Sequence, residues 1–274
     1  MSTRKTKIKI SQQTSLEYHH RLIISYKGSS YYGWQDLGEN QEKQTVQATI
    51  HHALQKICKY QSCNISVASR TDAGVHAQGQ VIKISIPLEI ASEKLLLGMN
   101  SLLPDDIRIL RCEHSQAAFN PNKDAKSKEY HYYFCTDGVY NPLTNDITAH
   151  IPSSNTNPLN IKLMQEACKL FIGEHDFYSF AKRDASMDST IRTIISCEIV
   201  RVEHSLFANE LYCLKIVGEG FLRYMVRYIA GSLFSLGREQ LSLTDINEAL
   251  KNHKEKKISS RAKSRGLHLI RVAY

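Results

Sequence analysis

One order of predicted elements occurs twice in the chain and constrains the fold more than any other feature. Apolar periodicity predicts strand, helix, strand, strand and helix between residues 19 and 103, and the same series between residues 129 and 237. This is the element order of a ferredoxin-like split β-α-β unit. The sequence therefore predicts an α+β fold of two halves, one over residues 1–115 and one over residues 116–274.

Turn and cap residues set the limits of the predicted segments. Thr45 is a predicted N-cap, and Pro87 ends a strand because proline cannot donate a ladder hydrogen bond. The predicted segments are 19–26, 45–58, 64–69, 80–86 and 92–103 in the first half, and 129–136, 160–173, 193–203, 210–218 and 221–237 in the second.

Composition predicts a soluble protein. The 274 residues are 42% hydrophobic and 23% charged, and no apolar run reaches the roughly 18 residues of a membrane span. The first ten residues lack the apolar core of a signal peptide, so a cytoplasmic location is expected. Seven cysteines without a CxxC pair predict reduced thiols. Twelve histidines without ligand spacing predict no bound metal.

The positive charge is concentrated in two segments. The net charge is +8, and residues 251–265 hold seven Lys or Arg side chains against one Glu, while residues 4–9 add four more basic side chains. Such segments suit a phosphate backbone, with binding that weakens steeply as salt rises. A solvated basic surface is the alternative, and charge alone leaves both open.

A polar stretch, SRTDAGVHAQGQ at residues 69–80, begins in the predicted connection between two strands, where functional residues are common. In an extended backbone Arg70 and Asp72 point the same way, so the guanidinium can lie beside the carboxylate and favour its ionised form. Gly74 would allow close approach of a substrate. The alternative is a turn in which Asp72 accepts backbone N–H bonds.

Two further segments carry candidate functional side chains. In the predicted helix 221–236, Arg223 and Arg227 lie four residues apart, and a nearby carboxylate or phosphate would relieve their repulsion. Two solvated arginines are the alternative. In KEYHYYF, a predicted strand, Tyr130 and Tyr132 share one face. Packing in the core, stacking on a base and accepting a proton all fit such a tyrosine.

Together these segments resemble one protein family. SRTDAGVHAQGQV is similar to the signature of the tRNA pseudouridine synthase A (TruA) family, whose usual form is G-R-T-D-A-G-V-H-A. In the family's order, SYKGSSYYGWQ and TVQ precede it, and LPDDI, KEYHYYF, GEHDFYSF, IRTI and GEGFLRYMVRYIAGSL follow. The end, RAKSRGLHLIRVAY, is also similar, so the resemblance runs from about Leu22 to Tyr274.

The resemblance implies a fold, a reaction and a partner. The fold is two ferredoxin-like halves in a continuous antiparallel sheet flanked by helices, with a central basic cleft. The reaction converts uridine to pseudouridine at positions 38, 39 and 40 in the anticodon stem-loop of tRNA, with no cofactor and no metal. The resemblance further implies a homodimer that binds tRNA across both subunits.

Matched position by position, the resemblance implies roles for individual side chains. Asp72 corresponds to the nucleophilic aspartate, and Arg70 to the arginine that inserts where the target nucleotide leaves the stack. Tyr130 corresponds to the tyrosine that stacks on the target base and is implicated in proton transfer. Arg227 corresponds to the basic residue that pairs with the aspartate, which leaves Arg223 free to bind RNA.

Several positions depart from the family's usual pattern. Ser69 replaces glycine, whereas Asn122 and Lys128 each replace an arginine. Lysine keeps the charge without the bidentate fork, so Lys128 is still expected to bind substrate, while Asn122 loses the charge. Because RNA affinity depends on such charges, a tRNA-binding or chaperone protein without turnover is the alternative to an active enzyme.

Overall fold

A computed structural model of the protein describes residues 16–35, 44–182, 189–203, 210–252 and 257–274. The basic residues 4–9 lie outside these ranges, as does part of the basic segment 251–265.

Every predicted strand and helix is present, with bounds that differ by a few residues. The N-terminal half contains β1 (Tyr18–Tyr26), α1 (Val46–Ile57), β2 (Asn64–Val67), β3 (His76–Ile86), α2 (Ser92–Leu102) and β4 (Ile107–His114). The C-terminal half contains β5 (Ser127–Cys135), β6 (Ala149–His150), α3 (Ile161–Cys168), β7 (Gly173–Asp176), β8 (Ile191–Arg201), β9 (Leu211–Gly218), α4 (Met225–Gly237), α5 (Leu243–Lys251) and β10 (Leu267–Ala273). The sequence patterns did not predict β4, β6, β7, α5 or β10.

The strands of the described chain form one sheet whose order repeats between the halves. The order is β4-β1-β3-β10-β5-β9-β8-β7, with β2 beside β3 and β6 beside β5. The series β4-β1-β3-β2 and β10-β5-β9-β8 have the same arrangement, which confirms the two ferredoxin-like halves. Most pairs are antiparallel, but β3–β10 and β5–β6 are parallel, so the continuous sheet is mixed.

Strand β3 divides one of its edges between two partners. Residues 82–85 pair with β2, whereas His76 and Ala77 pair with His268 and Leu269 of β10. The connection from β2 to β3 therefore emerges where the sheet passes from one half to the other. Asp72 lies in this connection, as the sequence predicts.

Apolar side chains between the sheet and the helices form the core. In β1 the buried Leu22 and Ile24 alternate with half-buried residues, and β5 shows the same alternation. The ring of Tyr132 in β5 packs on Phe234 of α4, with centroids 5.8 Å apart. No helix within the described ranges combines the length and apolar character that a membrane crossing requires. All seven cysteines are free thiols.

Helix α4 begins four residues later than its apolar pattern predicts, at Met225. Tyr224 precedes it with φ of 67° and ψ of 3°, a left-handed conformation that cannot be part of an α-helix. Arg223 consequently lies in the turn before the helix rather than one helical turn from Arg227. The prediction that Arg223 and Arg227 repel each other along one helix face is therefore wrong.

Candidate active site

Buried neighbours fix the backbone of the loop that carries Asp72. The side-chain amide of Gln80 donates to Ser69 O at 2.6 Å, and Trp34 N donates to Thr71 O at 2.9 Å. Both Gln80 and Trp34 are almost completely buried. Because these hydrogen bonds lie away from water, the loop presents Asp72 in a defined position.

The segment SYKGSSYYGWQ packs on the same loop, which explains its two glycines. A Cβ atom on Gly28 would overlap Val75 O, and one on Gly33 would lie 2.7 Å from Thr71 O. Gly33 also has φ of +92°, a conformation that favours glycine. This segment therefore belongs to the framework of the candidate site.

Asp72 forms an ion pair with Arg227 of α4. Arg227 Nη1 lies 3.3 Å from Asp72 Oδ2, and the two side chains are 11% and 21% exposed. Arg227 Nε also donates to Ala262 O at 2.8 Å, which orients the guanidinium. Burial raises the pKa of Asp72, and the charges of Arg227, Arg223 and Arg261 act in the opposite direction. The carboxylate is thus partly desolvated and surrounded by arginines.

Arg70 is exposed, and the structure differs from the expectation that its guanidinium lies beside Asp72. Among the described residues the salt bridge of Asp72 is to Arg227, which comes from the other half of the protein. The turn of the loop lies at Ala73 and Gly74, where Val75 N donates to Asp72 O at 3.1 Å, so it follows Asp72 rather than separating it from Arg70. The exposed Arg70 side chain is accessible to a ligand.

Tyr130 lies beside the Asp72 loop. Its hydroxyl is 2.8 Å from Ser69 Oγ, and its ring meets Phe221 edge to face at 5.2 Å between centroids. Only 6% of the residue is exposed. Burial raises the pKa of Tyr130 to about 12, the Ser69 hydrogen bond lowers it, and the Asp72 charge raises it. The phenol is therefore neutral near pH 7, with its oxygen fixed by Ser69.

Lys128 is buried on the same face of β5 as Tyr130. Nζ donates to Ala68 O at 2.7 Å and to Asn122 Oδ1 at 2.8 Å, and 8% of the residue is exposed. Burial lowers the pKa of Lys128 to about 8, with a further contribution from Arg192. The structure thus directs this amine to protein oxygens, and the two departures Asn122 and Lys128 contact each other.

Several residues of the site were not predicted from the sequence. Ser69 is more than a small replacement, because its hydroxyl binds Tyr130. Arg261 and Tyr224 were also not predicted as site residues. In the structure, Arg261 Cζ lies 4.0 Å from the Tyr224 ring centroid. Arg261 belongs to residues 257–265, named the strap here, where Ala262 N donates to Arg227 O at 3.0 Å. The signal available was the basic composition of this segment, which does not distinguish a packed strap from a solvated tail.

The arrangement can supply a carboxylate, a neutral phenol and several guanidiniums to one substrate. Asp72 can act as a nucleophile or a base, and the phenol of Tyr130 can stack on a planar ring. The guanidiniums can bind phosphate. Within the described residues, no group of three or more His, Cys, Asp and Glu side chains comes together as metal ligands.

This chain is similar to several known proteins. The tRNA pseudouridine synthase A 2 of Desulfotalea psychrophila is 48% identical over 257 residues, which cover 93% of this chain and 98% of that protein. The tRNA pseudouridine synthase A of Listeria innocua is 36% identical over 256 residues, with coverage of 93% and 98%. A chain in a crystal structure of a Cbf5-Nop10-Gar1 complex is 14% identical with a TM-score of 0.29, and the match covers 91% of this chain and 57% of that chain.

The sequence model of the family described as "tRNA pseudouridine synthase" matches residues 22–119 and 167–274, which include the Asp72 loop, Arg227 and the strap. The match and the two relatives extend over both ferredoxin-like halves. The chain therefore belongs to the tRNA pseudouridine synthase family, in the branch named tRNA pseudouridine synthase A.

Proposed function

We propose that this protein isomerises uridine to pseudouridine in tRNA, with Asp72 as the nucleophile. The observation that carries the proposal is the ion pair between Asp72 and Arg227, whose charged atoms lie 3.3 Å apart. Asp72 is in a fixed loop at the junction of the halves, and Arg227 is in α4. The names of the homologous enzymes support tRNA as the substrate.

The reaction rearranges bonds within one nucleotide. The C1′–N1 bond breaks, the detached uracil rotates, and C5 bonds to C1′; C5 then loses its proton, and N1 gains one. Asp72 adds to C1′ or removes a sugar proton to give a glycal, and either route needs an ionised carboxylate. The Arg227 charge supports that ionised form against the cost of burial.

The target base must leave the helical stack before Asp72 can reach the sugar, at a cost of about a few kcal/mol. The exposed Arg70 is suited to fill the gap in the stack, and the family resemblance assigns stacking on the extruded base to the ring of Tyr130. A base must later remove the C5 proton. With a pKa of about 12, Tyr130 enters the reaction as a neutral phenol, so it can accept this proton only after first losing its own.

The finer parts of the proposal follow from the family resemblance. They are modification at positions 38, 39 and 40 of the anticodon stem-loop, a homodimer that holds the tRNA across both subunits, and a cytoplasmic location. The basic residues of the strap support an RNA ligand. Pseudouridine mapping of total tRNA from cells with and without the gene tests the positions, and light scattering of the purified protein tests the dimer.

Tritium release from tRNA labelled at uridine C5 tests the reaction. The wild-type protein should release tritium, and Asp72→Asn should lower the rate by about 10³-fold or more while tRNA binding changes little. Asp105→Asn is the matched control, since it removes the same charge from a fully exposed carboxylate. Undiminished release by Asp72→Asn would remove Asp72 from the mechanism, and no release by the wild type from any tRNA would refute the function.

A further inference from the structure

Three guanidiniums surround the ring of Tyr224 beside the active-site aspartate. Cζ of Arg261 lies 4.0 Å from the ring centroid, and Cζ of Arg223 and of Arg227 lie 5.0 and 5.5 Å from it. Cations over an aromatic face are attracted to the ring but repel one another. Arg227 is compensated by Asp72. The cluster as a whole still carries uncompensated positive charge.

Arg223 and Arg261 are the uncompensated members. Both are exposed, and neither forms a salt bridge with a carboxylate in the part of the chain that the structure describes. Their charges nevertheless act on Asp72, where they oppose the rise in pKa that burial causes. Two guanidiniums therefore lie near the reacting carboxylate while remaining open to solvent, which is the arrangement expected where an anion enters with the substrate.

The backbone around this cluster is fixed by contacts of its own. Tyr224 keeps its left-handed conformation, which is unfavourable for a tyrosine unless its surroundings hold it. Lys182 N donates to Arg223 O at 3.0 Å, and Ala262 N donates to Arg227 O at 3.0 Å. The Tyr224 ring is consequently a fixed platform, and Arg261 stacks on it from the strap. A guanidinium oriented in this way loses little freedom when a ligand binds.

We propose that Arg223 and Arg261, held against Tyr224, bind a phosphodiester of the RNA backbone next to the nucleotide on which Asp72 acts. A stacked guanidinium keeps its N–H edge available, and that edge matches two phosphate oxygens. This site rests on the proposed function, because it takes the substrate to be RNA. Tyr224 acts as a positioning residue that orients the guanidiniums.

Neutral backbone linkages test the site directly. An anticodon stem-loop RNA is made with one uncharged methylphosphonate on the 5′ or the 3′ side of the target uridine. With the wild-type protein, one of these two RNAs should bind about tenfold more weakly than the unmodified RNA. Arg261→Gln should bind unmodified RNA about tenfold more weakly, and the neutral linkage should then cause little further loss, since the contact is already absent.

Matched variants separate this contact from general charge. Lys263→Gln removes one positive charge from an exposed position of the same strap and should keep the full sensitivity to the neutral linkage. Tyr224→Leu should reproduce the Arg261→Gln result. Tyr224→Phe keeps the ring on which Arg261 stacks and loses only the exposed hydrogen bond from Arg223 Nη2 at 3.3 Å, so it should retain most of the wild-type binding. Thermal unfolding of each variant tests whether its fold is intact.

Two outcomes have different meanings. If each neutral linkage weakens binding by the same factor in the wild type and in Arg261→Gln, and the wild type still forms pseudouridine, the phosphate site alone is overturned. Absence of pseudouridine from every tRNA offered to the wild-type protein overturns the proposed function instead.

Discussion

The Arg227 guanidinium lies 3.3 Å from the Asp72 carboxylate although 155 positions separate the two residues in the chain. Asp72 belongs to the N-terminal half and Arg227 to the C-terminal half, so the ion pair joins the two ferredoxin-like units. The pair exists because β10 completes the edge of β3 and brings α4 and the strap alongside the Asp72 loop.

The pH dependence of activity should respond to Arg227. Burial raises the pKa of Asp72 and the Arg227 charge lowers it, so Arg227→Met should raise that pKa further. An aspartate that must be ionised then becomes protonated at a higher pH as the solution is acidified. The acid limb of the kcat/KM profile is therefore expected to move to higher pH, whereas Arg227→Lys, which keeps the charge, should move it less. An unmoved limb in Arg227→Met would show that this charge does not act on Asp72.

Ser69 should stabilise the protein through Tyr130. Ser69→Ala leaves the buried phenol without its partner at 2.8 Å, which should lower the free energy of unfolding by about 1–3 kcal/mol. Ser66→Ala is the matched control, because the buried Ser66 hydroxyl has no hydrogen-bond partner among the described residues. Urea unfolding should show a loss for Ser69→Ala and none for Ser66→Ala. Equal effects would mean that the Ser69–Tyr130 hydrogen bond contributes nothing.

Lys128 should affect catalysis through the loop rather than through RNA binding. Lys128→Met removes the hydrogen bonds to Ala68 O and Asn122, so the loop before Asp72 is less well positioned and kcat should fall about tenfold. Lys126→Met removes the same charge from an exposed neighbour and should leave kcat unchanged. The tRNA dissociation constants of the two variants should be equal. Selective loss of tRNA affinity in Lys128→Met would instead support a direct contact with RNA.

Gly231 should be required for the strap to pack on α4. A Cβ atom at this position would overlap Ser260 O, a backbone atom that cannot move without displacing the strap. Gly231→Ala should therefore lower the free energy of unfolding by about 1–3 kcal/mol, despite the higher helix propensity of alanine. The comparison is Gly98→Ala in α2, where the nearest atom is the side-chain tip of Ile57 at 3.4 Å. Thermal unfolding that ranks Gly231→Ala at or above Gly98→Ala would contradict this packing.

Local patterns in the sequence were sufficient for much of the fold. Each long strand and helix has its own apolar period, and Thr45 caps α1 as expected by accepting from Ala48 N. Strands β4 and β10 were not predicted because their apolar pattern is weak. In β4 the alternation of buried residues stops after Ile109, and in β10 His268 is buried beside the apolar residues. Their pairing, rather than their own pattern, makes them strands.

The sequence by itself predicted the order of the longer strands and helices and the family, since these depend on local periodicity and on motif spelling, and through the family resemblance it implied roles for Asp72, Tyr130 and Arg227. Local spacing allowed Arg70 as the partner of Asp72, and the resemblance implied Arg227. Only the tertiary structure decided between them, in favour of Arg227, because β10 completes the edge of β3 and brings α4 alongside the Asp72 loop. It also showed that Lys128 is buried and that Arg261 stacks on Tyr224. Charge is readable from a sequence, but its neighbours are set by long-range packing, and the neighbours determine what the charge can do.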